Sequence, residues 1–213
     1  MKDLFTLQQE LQSGALDAQL SALCGAGASA ISEKRSRLLA LIAVFASAFG
    51  AGRTAGLYSS PGRTEMGGNH TDHQHGRVLA GAVDLDMLAC AGPNGTSVAH
   101  ILSAGYPEIT IDLSDLTPQP AEEGTSAALV RGIASRFHDM GFEIGGFDVC
   151  MDSTVLGGSG LSSSAAYEVL IGLIINNLFC GDRADLVKIA QIGQYAENHF
   201  FGKPCGLMDQ LAS

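Results

Sequence analysis

Two segments concentrate the residues that could do chemistry. The first is Gly157-Gly158-Ser159-Gly160-Leu161-Ser162-Ser163-Ser164-Ala165-Ala166, which follows an expected strand and opens an expected helix. Glycines let a backbone approach a ligand closely, and the free N–H groups at a helix start, with the positive end of its dipole, hold anions. The serines would cap the helix or offer hydroxyls to a phosphate or a metal. The segment is neither a Walker loop, for no lysine follows the second glycine, nor GxGxxG, since Ser163 holds the third glycine's place. A plain Gly/Ser connector with an ordinary cap is the competing reading. If a phosphoryl group is transferred here, its charge must be met by Mg2+ and by an arginine from elsewhere.

The second segment, from Ser60 to Gly76, contains Arg63, Asn69, His70, Thr71, Asp72, His73 and His75. It reads as a polar loop between strands, and loops on a rigid scaffold are where sites are built. Three readings stand. His70, His73 and His75 could ligate a metal; the loop could simply be solvated; or Asn69, His70 and Asp72 could bind sugar hydroxyls with Arg63 facing phosphate.

The elements that must position these groups follow from periodicity. The first fifty residues read as two or three helices with a break at Gly25-Ala26-Gly27. Leu38 to Ala51 is uncharged behind a basic run, yet its fourteen residues fall short of the roughly 20 needed to cross a bilayer, so it reads as a buried helix ending at Gly50. Gly56–Ser59, Val78–Asp84, Met87–Ala91, Val98–Ala104 and Glu108–Leu113 read as short strands parted by Gly, Pro, Asn or Ser. Ala121 to Met140 is helical, with Leu129, Ile133 and Phe137 on one face, and Phe142 to Met151 is a further strand. Helices follow over Ser162 to Leu178 and Ala184 to Phe200. This is α+β, not a regular βαβ array. The last residues, Met208 to Ser213, read as the opening turn of a helix, so the chain is expected to be a fragment.

Composition narrows the class. The 213 residues are 46% hydrophobic with mean hydropathy +0.20, enough for a core. Net charge is −10, which argues against a nucleic-acid surface but not against a local anion site. Five cysteines are scattered without a CxxC pair, and the start lacks a signal-peptide layout; a reducing cytoplasm and no membrane attachment are expected. The oligomeric state cannot be read.

Pro61-Gly62-Arg63, then His70-Thr71-Asp72, resembles the galactokinase sugar-binding motif. Gly-Gly-x-Gly-Leu-Ser-Ser-Ser-Ala resembles the ATP loop of the wider superfamily that includes homoserine, mevalonate and phosphomevalonate kinases. Ala196-Glu197, with Gly202-x-Pro204-Cys205-Gly206-Leu207-Met208-Asp209-Gln210, is similar to the galactokinase segment carrying the catalytic aspartate. The three motifs stand in family order over roughly residues 55 to 213. The resemblance implies the GHMP kinase N-terminal domain (ribosomal protein S5 domain 2-like) at 55–213, behind a helical extension at 1–54. It implies ATP-dependent phosphorylation of galactose to galactose 1-phosphate, with ATP and Mg2+ as cofactors. Asp209 would be the base or orienter and Arg63 would stabilise phosphoryl charge. Asn69, His70, Asp72, Gly206 and Asp209 would hold the sugar. Gly157, Gly158, Ser159, Gly160, Leu161, Ser162, Ser163 and Ser164 would wrap the phosphates, and Ser164 and Glu197 would hold the metal. Blander readings remain for single residues: Glu197 as a solvated helix side chain, Asp209 as a helix cap, Cys205 as packing. The family usually has glutamate before His-Thr-Asp, where this chain has Asn69, so sugar affinity or epimer choice would shift. A related sugar kinase, for instance on N-acetylgalactosamine, and a non-catalytic sugar and ATP sensor are the alternatives. The family's second lobe is expected beyond residue 213, and the 213 residues alone are expected to be inactive.

Overall fold

The computed structural model describes residues 1–213. Six strands form one mixed sheet in the order β1-β2-β3-β6-β4-β5. They are β1 (Lys2–Asp3), β2 (Thr54–Gly67), β3 (Leu79–Pro93), β4 (Val98–Ser103), β5 (Ile109–Asp112) and β6 (Phe147–Ser153). All neighbours are antiparallel except β4 and β6, whose register runs from His100↔Asp148 to Ser103↔Met151. The helices are α1 (Leu4–Ser13), α2 (Asp17–Cys24), α3 (Ala28–Phe49), α4 (Ser126–Asp139), α5 (Ser163–Phe179), α6 (Leu186–Ala196) and α7 (Met208–Ala212).

Both faces of the sheet are covered, and β3 shows why its centre is apolar on both sides. Met87, Ala89 and Ala91 join the larger core beneath α4, α5 and α6, while Leu88 and Cys90 point the other way into a core built with α1, α2 and α3. Period-two alternation thus divides one continuous buried run between two layers. Leu129, Ile133 and Phe137, the expected inner stripe of α4, are all buried. The apolar stretch after Lys34 is α3, and it packs Leu38, Leu41, Ile42 and Phe45 on the sheet. Its basic approach is used too: Lys34 and Arg37 both pair with Asp86 on β3, and Arg37 with Asp152, Nε–Oδ2 2.7 Å. No helix is long and apolar enough to cross a membrane.

Two expectations are corrected here. Ser60 to Gly67 is strand, not loop: β2 runs to Gly67 and pairs with the outer half of β3 as a ribbon, Arg63↔Ala82 and Glu65↔Ala80. The two short strands expected at 78–84 and 87–91 are one, β3. The ribbon is solvated at its tip, so its polar residues carry no buried alternation to reveal it. A register shift between Pro61 and Arg63 leaves Gly62 unpaired. There the Leu161 carbonyl lies 3.0 Å from where a Cβ would stand, and it accepts the Arg63 N–H at 3.0 Å. A bulge re-aims the side chain beside it, and this one turns Arg63 towards the glycine loop.

Candidate functional site

Arg63 is 5% exposed, and all three of its guanidinium nitrogens donate hydrogen bonds. Nε and Nη2 donate to Asp209 Oδ1 and Oδ2 at 2.6 and 2.8 Å, and Nη1 donates to the Gly160 carbonyl at 2.8 Å. One side chain from the end of β2 therefore joins the glycine loop before α5 to the first turn of α7. A planar fork matches a carboxylate in this way, where a lysine would supply only a point charge. Asp209 also accepts from the Ser162 hydroxyl. Burial raises the Asp209 pKa, but the Arg63 and Ser162 hydrogen bonds, the Arg63 charge and His70 together outweigh it, leaving the carboxyl below its ordinary range. Ser162 itself sits at φ 53, in the left-handed region that costs a non-glycine residue about 1 kcal/mol or more.

The His-Thr-Asp turn lies across from the loop. Asn69 and His70 are successive left-handed residues, at φ 54 and 53. The His70 N–H donates to Glu65 Oε1 at 2.9 Å, and its Nε2 lies 3.2 Å from Glu65 Oε2. Its other ring nitrogen, Nδ1, is 3.9 Å from Asp209 Oδ1. Asp72 Oδ2 accepts the Met208 N–H at 2.9 Å. Helix α7 is thus capped by Asp72 from a distant turn, and Asp209, which could have been its own helix's cap, faces Arg63 instead. Gly206 makes room for this: a Cβ there would lie 1.9 Å from Asp72 Oδ2.

These groups line one cleft of about 450 Å³. Arg63, His70, Asp72, Gly206 and Asp209 meet Gly158, Ser159, Gly160, Ser162, Ser163 and Ser164 there. Four expected site residues do not line it. Asn69 is exposed and is not among the residues that line the cleft. Gly157 faces an adjoining apolar cavity of about 330 Å³, which is also lined by Ser163, Ser164 and Tyr167, whose hydroxyl is buried without a partner. Leu161 contributes its carbonyl to Arg63. Glu197 is not the solvated side chain its helix position allowed: it is 4% exposed at the start of a π-helical turn, Glu197–Phe201, that continues α6. Such turns recur at functional sites.

Glu197 Oε1 lies 3.3 Å from Lys203 Nζ, and Oε2 accepts from Gln210 Nε2 at 3.0 Å. The same Gln210 nitrogen donates to Glu168 Oε2 at 2.9 Å. Glu168 is fully buried, and burial followed by the Glu197 charge pushes its carboxyl well above the ordinary range. Sequence reasoning missed Glu65, Glu168, Lys203 and the role of Gln210. Lys203 had a visible signal, a lone cation inside the aspartate segment; Glu168 and Glu65 had none in the spacing. No three His, Cys, Asp or Glu side chains gather as a metal site, so the three-histidine reading fails. His73 instead turns its Nδ1 to the His70 carbonyl at 2.6 Å. Burial pushes the Cys205 thiol up, which suits packing and not nucleophilic attack.

Residues 43–93 match the family model described as the galactokinase galactose-binding signature, and 128–213 match the GHMP kinases N terminal domain. The first span holds Arg63 and the His-Thr-Asp turn; the second holds the glycine loop and Asp209. The chain is 33% identical to a Clostridium tetani galactokinase over 156 residues, 73% of this chain and 39% of that one. It is 32% identical to a Bacillus subtilis galactokinase over 175 residues, 79% of this chain and 44% of that one. A crystal structure of Lactococcus lactis galactokinase complexed with galactose superposes with TM-score 0.76 at 28% identity, over 83% of this chain and 46% of that one. Methanococcus jannaschii mevalonate kinase, at 16% identity and TM-score 0.63 over 74% of this chain and 50% of that one, shares the fold. The chain spans about two fifths of the length of the curated relatives it matches. With its sugar signature and its kinase domain in one cleft, the chain belongs to the galactokinase family of the GHMP kinases.

Proposed function

We propose that this chain is the sugar- and nucleotide-binding part of an ATP-dependent galactokinase that makes galactose 1-phosphate. The observation that carries the reading is the Arg63–Asp209 pair, set in one cleft between the glycine loop and the His-Thr-Asp turn. Residues 55–213 then form the catalytic lobe, with 1–54 a helical extension packed on its back, in a cytoplasmic enzyme.

The phosphate path fits the loop. Gly158 and Gly160 take φ 75 and 78, and nothing lies within 4 Å of where a Cβ would stand on either, so the backbone is open to a ligand. Ser163 and Ser164 begin the 17-residue helix α5 and both line the cleft, which brings the helix's N-terminal end to it. The adjoining apolar cavity would take the base. His70, Asp72 and the backbone at Gly206 would hold the sugar hydroxyls, with Asn69 at the rim. Asp209, ionised and held off its ordinary basicity by Arg63, orients the anomeric hydroxyl and regains proton affinity as Arg63 turns to the phosphoryl group. Ser164 and Glu197 would hold Mg2+, which when bound offsets phosphate charge. Ser164 fits that role directly; Glu197 is reached only past Lys203.

The test is ADP release from the full-length protein carrying this sequence, with ATP, Mg2+ and a panel of free hexoses. Turnover on galactose is expected. Turnover on N-acetylgalactosamine but not galactose would move the substrate, and binding of galactose and ATP without phosphate transfer would make the protein a sensor.

A further inference from the structure

The cleft must receive a polyphosphate, yet its fixed charges do not supply the cation. At rest Arg63 is paired with a carboxylate that is itself held in its ionised form, and its Nη1 donates to the Gly160 carbonyl, so the pair brings little net charge to the cleft. The glycine loop carries no lysine. Asp72 adds a further negative charge to the lining.

One amine lines the cleft. Lys203 stands on the wall with Ser162, Ser163 and Ser164, and it is the only lysine there. Its backbone is fixed: Gly202 takes φ 84, the Lys203 N–H donates to the Glu197 carbonyl at 3.2 Å, and Pro204 follows. Its side chain is free to move, being 64% exposed. The ammonium rests 3.3 Å from Glu197 Oε1, a carboxylate that is 5% exposed and shared with Gln210. The exposed ammonium itself loses little by leaving this contact, and Glu197 keeps the Gln210 hydrogen bond when it does. Phosphate oxygens, with several negative charges in one place, are the stronger partner.

We propose that Lys203 is the phosphate-binding cation of this cleft, resting on Glu197 until a polyphosphate enters and then turning to it. It does the work that a lysine within the loop does in Walker-type sites, but from the segment that leads into α7. This deepens the kinase reading and rests on it for the identity of the anion, but not for the site.

The test is calorimetric titration of the full-length protein carrying this sequence with tripolyphosphate in the presence of a chelator, so that no metal contributes. Wild type, Lys203→Met and Lys203→Arg are compared, with near-ultraviolet circular dichroism to check the fold. We expect saturable binding by wild type, about 10-fold weaker binding by Lys203→Met, and recovery to within about 3-fold by Lys203→Arg. Equal binding by wild type and Lys203→Met, or none by wild type, overturns the proposal. Galactose titration in parallel separates the two levels. Lysine-dependent tripolyphosphate binding without galactose binding would leave Lys203 standing and remove the sugar-kinase reading. Galactose binding with a silent Lys203→Met would do the reverse.

Discussion

Replacing Gly206 with alanine tests how the His-Thr-Asp turn and helix α7 are joined. Gly206 does not take a left-handed φ, so alanine is conformationally acceptable there. The three atoms nearest an added Cβ all belong to Asp72, at 1.9, 2.3 and 2.8 Å, inside the 3.0 Å that real Cβ contacts almost never breach. Asp72 must therefore swing away and release the Met208 N–H. A hydrogen bond to a charged acceptor is worth about 1.5–3 kcal/mol and a helix cap about 1, so Gly206→Ala should destabilise by about 2 kcal/mol. Asp72→Ala removes the same bond and the steric obstacle together. In that background Gly206→Ala should cost almost nothing, since alanine also lowers the unfolded chain's entropy by an amount worth about 0.4–1 kcal/mol. Urea denaturation of the four proteins gives the coupling, expected near 1.5–2 kcal/mol. Additivity within about 0.5 kcal/mol would refute the reasoning.

Three further outcomes follow from other contacts. Glu65→Ala frees His70 from both of its Glu65 contacts and should weaken galactose binding about 10-fold, with Glu65→Gln recovering part of it; unchanged affinity in Glu65→Ala would show that His70 needs no support. Arg131, 5% exposed, donates to Glu122 and to the Asp112 and Asp115 carbonyls, so Arg131→Met should cost about 3 kcal/mol in urea denaturation; a loss under about 1 would contradict its structural role. Glu168 binds its proton more tightly folded than unfolded, so its contribution is fully present below the ordinary glutamate pKa of about 4.3 and is lost as pH rises towards the raised folded value. Glu168→Gln keeps an acceptor for Gln210 and should remove that decline; melting temperatures that run parallel from pH 4 to 8 would overturn the assignment.

The glycine loop was legible because its pattern is local: glycines and serines directly between β6 and α5. The covered faces of α3 and α4 were legible from spacing for the same reason. The long ribbon of β2 and β3 was not, because Arg63, Thr64 and Glu65 show no alternation and their pairing to Ala80, Gly81 and Ala82 lies across a turn of polar residues. The break at Gly25–Gly27 fell where small residues placed it, between α2 and α3. Within the site, residue types named the chemistry while depth stayed hidden. Nothing in Ala196-Glu197-Asn198 tells that Glu197 is buried, because its burial comes from Gln210, Lys203 and Glu168 on other segments. Likewise Asn69 stands in order with the His-Thr-Asp motif, yet of these two left-handed residues only His70 lines the cleft.

The central claim is that Arg63 and Asp209 act as one unit on a sugar hydroxyl. It is tested most directly by galactose-dependent ADP release from the full-length protein carrying this sequence, beside its Asp209→Asn variant. Asparagine keeps the shape and an acceptor for Arg63 but not the charge, so galactose should still bind while turnover falls by about 100-fold or more. Turnover by Asp209→Asn at the wild-type rate would contradict the account.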